Sequence, residues 1–208
     1  MSMNKIIPND KDYDRIIEDL CNERLDELFD NEIPLEARTR LREELDSMAY
    51  NGFGAKYYAA MKLAEKAKAD GIVLGFKGTI NASLIAFLLG ITEINPLSKK
   101  LGGFDLPSWS FIGVDGDKEP WIDITVGEEH QIPLMNYLSE IFPGFHAEHG
   151  YAHDGGVAMH PAKMLIVPDD LSKYPEITLR DGTVLKKDFQ SSDYDCNKLE
   201  EVFLDFNI

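Results

Sequence analysis

The spacing of apolar residues changes at Gly71, and this change limits the possible folds more than any other feature of the sequence. Before Gly71, apolar residues recur every three or four positions between charged ones, as they do in amphipathic helices. Pro34 stands where helices commonly begin, and Asn51-Gly52 and Asp70-Gly71 stand where they commonly end. The pattern predicts three helices, over residues 12–29, 34–51 and 54–68.

After Gly71 the apolar runs are short and predict strands. The predicted strands cover residues 72–74, 122–126 and 164–167, and a hairpin with an Asp-Gly turn covers 177–185. Helices are expected over residues 81–89 and 128–142, and a closing helix or strand over 199–206. Helices followed by strands favour an α+β fold with an N-terminal helical segment, residues 1–70, and a second domain, residues 71–208.

The chain is strongly acidic, with 37 acidic and 21 basic side chains and a net charge of −16. This charge argues against a protein that holds duplex DNA by general attraction to phosphates, because such binding needs a basic face. The longest apolar run, residues 80–91, contains polar residues and is too short to span a bilayer. Cys21 and Cys196 match no zinc or redox spacing, which is typical of reduced thiols. We therefore expect a soluble cytoplasmic protein that makes no membrane contact.

A glycine-containing turn, residues 75–79, has the chemistry of a phosphate-binding loop. Gly75 and Gly78 would let backbone N–H groups approach an anion. Lys77 adds positive charge and Thr79 adds a hydroxyl, directly before the N-terminus of a predicted helix. The spacing is not that of a P-loop, and a turn that only packs a strand against a helix is the alternative.

Three acidic residues could hold metal ions. Asp123 lies on a predicted strand, and two-metal phosphoryl-transfer sites often have a second carboxylate two positions away on the same face. Here that position is occupied by Trp121. Glu128 is close in sequence, and Asp205 lies in a strand-like segment near the end of the sequence. An isolated Asp beside apolar residues could instead be a cap or a hydrogen-bonded residue at the edge of the core.

Histidines cluster between residues 146 and 160. His146, His149 and His153, together with Asp154, have a spacing that could hold zinc or iron on one helical face. Glycines and a proline within and beside this segment favour a loop over a helix. A mobile or hydrogen-bonded polar loop is therefore the alternative to a metal site.

Several of these stretches together resemble the alpha subunit of bacterial DNA polymerase III, in the Gram-positive, PolC-type branch of the family C polymerases. The most specific stretch is residues 90–97, which read Gly-Ile-Thr-Glu-Ile-Asn-Pro-Leu. Where this chain has residues 75–79, the family has a Gly-Ser-Arg-Gly-Ser loop that contacts nucleotide phosphates. The other similar stretches follow in the family's order: residues 23–29, 40–45, 51–53, 70–74, 104–107, 116–120, 160–161, 164–168 and 204–205.

The resemblance implies a palm domain of the polymerase-beta-like nucleotidyltransferase superfamily, with a small mixed sheet and flanking helices. In DNA replication, three carboxylates of such a palm hold two magnesium ions while a primer 3′-hydroxyl attacks a nucleoside triphosphate. The second carboxylate falls on Asp123 and the third on Asp205, whereas the first falls on Trp121. Lys77 takes the place of the loop's Arg, as a point charge instead of a bidentate fork.

The departures from the family predict a degenerate palm homologue instead of a working replicase. No cysteine stands between residues 96 and 111, where the family has a zinc ribbon. Without the carboxylate that Trp121 replaces, the site should hold magnesium poorly, and Trp121 is expected to fill the volume of the ion.

Three functions remain open. A minimal magnesium-dependent nucleotidyltransferase would use Asp123, Asp205 and Glu128. A binding module derived from a polymerase would hold a nucleoside triphosphate through Lys77 and Thr79, or dock on a partner such as a larger polymerase subunit, and would bind DNA only weakly on its own. A metal-binding protein would use the histidine cluster.

Overall fold

The computed structural model describes residue 6 and residues 12–98, 107–154 and 158–207, with only the backbone for residues 153, 154 and 158–161. The chain has a mixed α and β structure, as the order of its apolar patterns predicts, and it divides into two compact units. The helical unit contains described residues 12–126, and the sheet unit contains Ile6 and residues 127–207. The units divide between residues 126 and 127, and the expected division into a segment 1–70 and a domain 71–208 stays a prediction.

The helical unit is built on three long helices that confirm the predicted ones. Their bounds are α1 (Tyr13–Leu28), α2 (Leu35–Asn51) and α3 (Gly54–Asp70). The Asp12 side chain accepts a hydrogen bond from the backbone N–H of Arg15, which satisfies one donor at the start of α1. Gly52 and Gly71 end α2 and α3 in the left-handed conformation that glycine adopts readily.

Shorter elements complete the helical unit. They are β1 (Gly75–Lys77), a 3-10 turn (Gly78–Ala82), α4 (Leu84–Leu88), α5 (Trp109–Ile112) and β2 (Asp123–Thr125). The strand predicted over residues 72–74 is wrong, because the strand begins at Gly75, and Val73 is 89% exposed. The turn predicted over residues 75–79 is therefore the strand β1 followed by the 3-10 turn.

Glu44 joins α2 to α4 inside the helical unit. Its carboxylate is 1% exposed and accepts hydrogen bonds from the Ser83 hydroxyl and from the backbone N–H groups of Leu84 and Ile85, at 2.8–3.1 Å. Arg40 donates to the same carboxylate at 2.6 Å. A buried charge needs such compensation, so this network fixes the start of α4.

The start of α3 lies against the start of α1. The backbone N–H of Gly54 donates to Oδ1 of Asp14 at 2.9 Å. A Cβ atom on Gly54 would lie 2.2 Å from that oxygen and 2.6 Å from the Asp14 nitrogen, so only glycine fits. Burial raises the pKa of Asp14 above its usual value, and the hydrogen bond from Gly54 offsets only part of that rise.

The described residues of the sheet unit form two α-helices and three strands, with short 3-10 turns at Leu171–Lys173 and Ser191–Asp193. The helices and strands are α6 (Glu128–Ile141), β3 (Phe145–Asp154), β4 (Ala158–Pro168), α7 (Cys196–Leu199) and β5 (Leu204–Asn207). β4 pairs antiparallel with both β3 and β5. Its apolar side chains pack with later segments of the unit in a cluster formed by Leu165, Val167, Leu171, Leu179, Leu185, Tyr194, Leu199, Val202 and Phe203.

The histidine-rich segment is strand β3, and the loop expected there is wrong. Pairing with β4 overrides the local glycine signals, and the register shifts between Gly150 and Tyr151. A Cβ atom on Gly150 would lie 2.8 Å from Cβ of Cys196 and 2.9 Å from Cδ1 of Leu165. Gly150 is therefore required for close packing in this strand and does not mark a turn.

The remaining predicted elements are confirmed in outline. The segment 177–185 forms a tight turn, with an antiparallel bridge between Thr178 and Val184 and with Gly182 at φ +85°. The closing helix or strand expected over residues 199–206 is mainly the strand β5, which begins at Leu204. The helix α7 ends at Leu199, the first residue of that segment. Within the described residues, no helix is both long enough and apolar enough to cross a membrane.

Candidate functional site

β1 and β2 bring the predicted phosphate-binding turn next to a predicted metal ligand. In their antiparallel pairing, Gly75 lies opposite Thr125, and Lys77 lies opposite Asp123. Directly opposed residues point to the same face with Cβ atoms about 5 Å apart. The side chains of Lys77 and Asp123 thus start from adjacent positions on one face of this strand pair.

The turn that follows β1 is held closed by Asn81. The Asn81 amide donates to the carbonyls of Phe76 and Gly78 at 3.3 and 3.2 Å, and its oxygen accepts from the Thr92 hydroxyl at 2.6 Å. Gly78 adopts φ +80°, which an L side chain adopts only with strain. The hydrogen bonds of Asn81 and the positive φ of Gly78 therefore fix the conformation of the turn.

Thr79 carries a buried hydroxyl that has no hydrogen-bond partner among the described residues. Buried polar groups in proteins are nearly always hydrogen-bonded, so an unpaired one indicates a missing partner. Lys77, two positions earlier, is exposed to solvent. A buried, unpaired hydroxyl in the turn therefore lies two positions from the exposed positive charge at the end of β1.

Trp121 lies outside β2, which begins at Asp123. Its side chain is 60% exposed. Because Trp121 is not part of the strand, strand alternation does not place its indole ring on the same face as the Asp123 side chain. That the indole ring occupies the volume of a metal ion stays a prediction. Position 121 still lacks a carboxylate.

Asp205 and Glu128 both belong to the sheet unit, whereas Asp123 belongs to the helical unit. Glu128 is exposed in the first turn of α6, where a negative charge interacts favourably with the helix dipole. Asp205 is 5% exposed in β5, opposite Leu165 of β4.

A lysine that the sequence analysis did not single out pairs with Asp205. Lys163 lies on β4 opposite Asn207, two positions from Asp205, so both side chains share one face. The Nζ atom of Lys163 donates to Oδ2 of Asp205 at 3.3 Å and also to Glu200. The predicted third carboxylate therefore shares one buried ammonium group with the carboxylate of Glu200.

The histidines of β3 point in different directions. His146 and His149 are three positions apart and so lie on opposite faces of the strand. The His146 Nδ1 atom lies 2.8 Å from Oδ1 of Asp169, and its Nε2 atom lies 3.9 Å from Oε2 of Glu148. Burial raises the pKa of Glu148, and the nearby His146 opposes that shift.

The histidine metal site gains no geometric support from the described residues. No group of three or more His, Cys, Asp or Glu side chains in the described part of the chain could hold a metal ion. The His149 Nδ1 atom is buried without a partner, on the face away from His146. The predicted ligands His153 and Asp154 belong to β3, but their side chains lie outside the described residues.

Comparison with known proteins matches most of the chain to one family. A sequence model of the bacterial DNA polymerase III alpha NTPase domain matches residues 15–154, which include the turn and Asp123 but not Asp205. A PolC-type DNA polymerase III of Caldanaerobacter subterraneus subsp. tengcongensis is 30% identical over 156 residues, 58% of this chain and 11% of that protein. Those of Thermotoga maritima and Bacillus subtilis are 28% and 27% identical, over 62% and 65% of this chain. The aligned part is 12% of the length of each of these two relatives.

Proposed function

Because the chain belongs to the bacterial DNA polymerase III alpha family through residues 15–154, we propose that it is a palm-type domain that has lost the magnesium-dependent polymerase reaction. The activity of the whole relatives does not transfer by itself, since this chain aligns with only 11–12% of their length. The question is whether its own residues fit the metal site of a palm.

The ion pair between Lys163 and Asp205 is the observation that carries this proposal. A palm needs the third carboxylate to bind Mg²⁺ through free oxygen atoms. In this chain an ammonium group lies 3.3 Å from Oδ2 of that carboxylate. A divalent cation bound there would lie next to a fixed positive charge, and the repulsion in a buried site weakens its binding.

The first position supports the same conclusion, because Trp121 supplies no oxygen ligand there. Asp123 is thus the one predicted ligand of the three that is neither replaced nor paired with a lysine among the described residues. The residues do not fit a two-magnesium centre, and we derive no catalytic step through one.

Primer extension tests the loss of activity. A primed template, deoxynucleoside triphosphates and either Mg²⁺ or Mn²⁺ are supplied to the chain and to an Asp123→Asn variant. The PolC-type polymerase of Bacillus subtilis is the positive control. We expect no templated extension by either form of this chain. Templated extension by the unchanged chain that disappears in Asp123→Asn would overturn the proposal.

Metal binding gives a second readout that does not depend on activity. The paramagnetic resonance signal of free Mn²⁺ falls when the ion binds to a protein. We expect the chain and an Asp123→Asn/Asp205→Asn variant to reduce this signal equally. A tight site that is present only in the unchanged chain would show that Lys163 does not block the carboxylate.

We further propose that the turn after β1 still binds the triphosphate of a nucleotide. The supporting observation is the buried, unpaired hydroxyl of Thr79 beside exposed Lys77. A phosphate oxygen would supply the missing hydrogen-bond acceptor, and Lys77 would supply the charge. Binding without turnover is the function that such a turn can retain when the metal site is lost.

Calorimetric titration with deoxyadenosine triphosphate tests this second proposal. We expect Lys77→Ala and Thr79→Val each to weaken binding about fivefold to tenfold. Lys68→Ala removes an exposed charge from the end of α3 and is the matched control, with an effect below about twofold. Absence of heat at millimolar nucleotide, or equal weakening by Lys68→Ala, would exclude binding at the turn.

A further inference from the structure

A concave site in the helical unit lies between α2 and the segment that carries α5, and its lining includes neither residues 75–79 nor Asp123. Its cavity volume is about 980 Å³. We call it the acidic aromatic groove, and the residues that define it are Glu43, Asp46, Tyr50, Trp109, Val114 and Asp115. The proposed polymerase chemistry uses none of these residues.

Large apolar side chains lie uncovered in this groove. Tyr50 is 86% exposed, Trp109 is 60% exposed and Val114 is 87% exposed. Contiguous exposed apolar groups of this kind are typical of interaction sites. Trp and Tyr are also the residues that most often contribute strongly to binding free energy at interfaces.

The charged groups of the groove are all negative. Among its described lining residues there are three carboxylates, and none is Lys, Arg or His. Asp46 is paired with Arg42 at 2.5 Å, so its charge is largely balanced. Glu43 accepts a hydrogen bond from the Ser108 hydroxyl at 3.1 Å and has no ion-pair partner among the described residues. Asp115 has no ion-pair partner in the described part of the chain.

The walls of the groove are held in place by hydrogen bonds. The Ser47 hydroxyl and the Asn51 amide of α2 both donate to the carbonyl of Gly116, at 2.6 and 2.9 Å. The backbone N–H of Lys118 donates to the carbonyl of Ile112 at 3.0 Å and closes the loop after α5. A groove that is ordered before binding loses less conformational entropy when a ligand enters.

We propose that the acidic aromatic groove binds a basic peptide segment of a partner protein, with arginine side chains as its main anchors. A guanidinium group can stack on Trp109 or Tyr50 and at the same time pair with Glu43 or Asp115. The negative lining, together with a net charge of −16, attracts such a segment and repels nucleic acid and anionic lipid. This inference is independent of whether the turn binds a nucleotide.

A single-tryptophan form of the chain makes the groove directly observable. The sequence has two tryptophans, and Trp121→Phe leaves Trp109 as the sole emitter. The probe is an acetylated, amidated peptide with three arginines and two leucines, and its control carries glutamates in place of the arginines. We expect a saturable change in Trp109 emission with the arginine peptide and none with the glutamate peptide.

Matched charge variants distinguish binding at the groove from general electrostatic attraction to the acidic chain. Glu43→Gln/Asp115→Asn is expected to weaken binding about tenfold. Glu23→Gln/Glu27→Gln removes two exposed charges from α1 and is expected to change binding less than twofold. Circular dichroism melting confirms that both variants remain folded.

The variants that lose peptide binding show where the peptide binds. Weakening confined to the Glu43 and Asp115 variant supports the groove, and calorimetry with Trp109→Ala should then show the same loss. Equal weakening in both double variants would indicate general attraction and overturn the proposal. Absence of a saturable signal with the arginine peptide, or a Trp109 response to a single-stranded oligonucleotide instead, would also overturn it.

Discussion

Replacing Lys163 with methionine is expected to destabilise the sheet unit by about 3–5 kcal/mol, because it removes one partner of a buried ion pair. The Nζ atom lies 3.3 Å from Oδ2 of Asp205, and only 11% and 7% of the two side chains are exposed. At that separation, unit charges attract by about 5 kcal/mol for an effective dielectric constant of about 20. Methionine keeps most of the length and apolar surface of lysine, so the lost free energy reports mainly the charge.

Urea unfolding at pH 7, followed by far-ultraviolet circular dichroism, measures this change in the free energy of unfolding. Both tryptophans, Trp109 and Trp121, belong to the helical unit, so their emission reports that unit separately. Lys186→Met changes an exposed lysine of the sheet unit in the same way. This control is expected to cost less than about 0.5 kcal/mol.

A double variant tests the assigned cause. Lys163→Met/Asp205→Asn should recover most of the stability that Lys163→Met loses, because no uncompensated carboxylate then stays buried. Lowering the pH should also reduce the loss in the single variant, as protonation removes the same charge. Equal losses for Lys163→Met and Lys186→Met, or no recovery in the double variant, would show that the ion pair does not stabilise the sheet unit.

Three further predictions concern other buried contacts. Glu44→Gln should destabilise the helical unit by about 3 kcal/mol, measured by urea unfolding with tryptophan emission; a loss below about 1 kcal/mol would contradict the cap on α4. Gly54→Ala should cost more than about 2 kcal/mol in the same assay, because its Cβ meets the backbone of Asp14; a neutral result would disprove that close approach. Burial raises the folded-state pKa of Glu148 above its usual value of 4.5, so its contribution to stability is full below pH 4.5 and is lost as the pH rises through the folded pKa. Glu148→Gln should therefore be more stable than the unchanged chain at pH 7 and show no such gain at pH 4, and thermal melting at both pH values checks the sign.

The long helices could be predicted from the sequence because their signals are local. Apolar residues at helical spacing, with Gly52 and Gly71 after the last turns, predict α1 to α3 within two residues at each end. The family could also be predicted from the sequence, because the resemblance depends on short runs such as residues 90–97. The family match over residues 15–154 confirms it.

The strands were harder to predict because their partners are distant in sequence. The apolar run 72–74 matches a strand in composition, yet exposed Val73 shows that composition alone did not determine burial. In β3, glycines that usually indicate a loop lie within a strand because β4 pairs along its whole length. In β3, strand pairing outweighed the local propensity.

The chemistry of the candidate site was predicted only in part. The neighbouring positions of Lys77 and Asp123 follow from an antiparallel register that the sequence does not reveal. The role of Lys163 depends on the alignment of β4 with a strand about forty residues later, and a lysine before an apolar run attracts no notice by itself. Once the register is known, Lys163 is found as the residue opposite Asn207, two positions from the predicted metal ligand Asp205.

The ammonium group at Asp205 is part of the chain, and this distinguishes it from a bound metal ion. A bound ion contributes stability that depends on its free concentration, through a binding equilibrium. Lys163 takes part in no such equilibrium, so neither dilution nor a chelator can remove its charge. The fold of the sheet unit around Asp205 is therefore expected to be the same in magnesium-rich and magnesium-free solution.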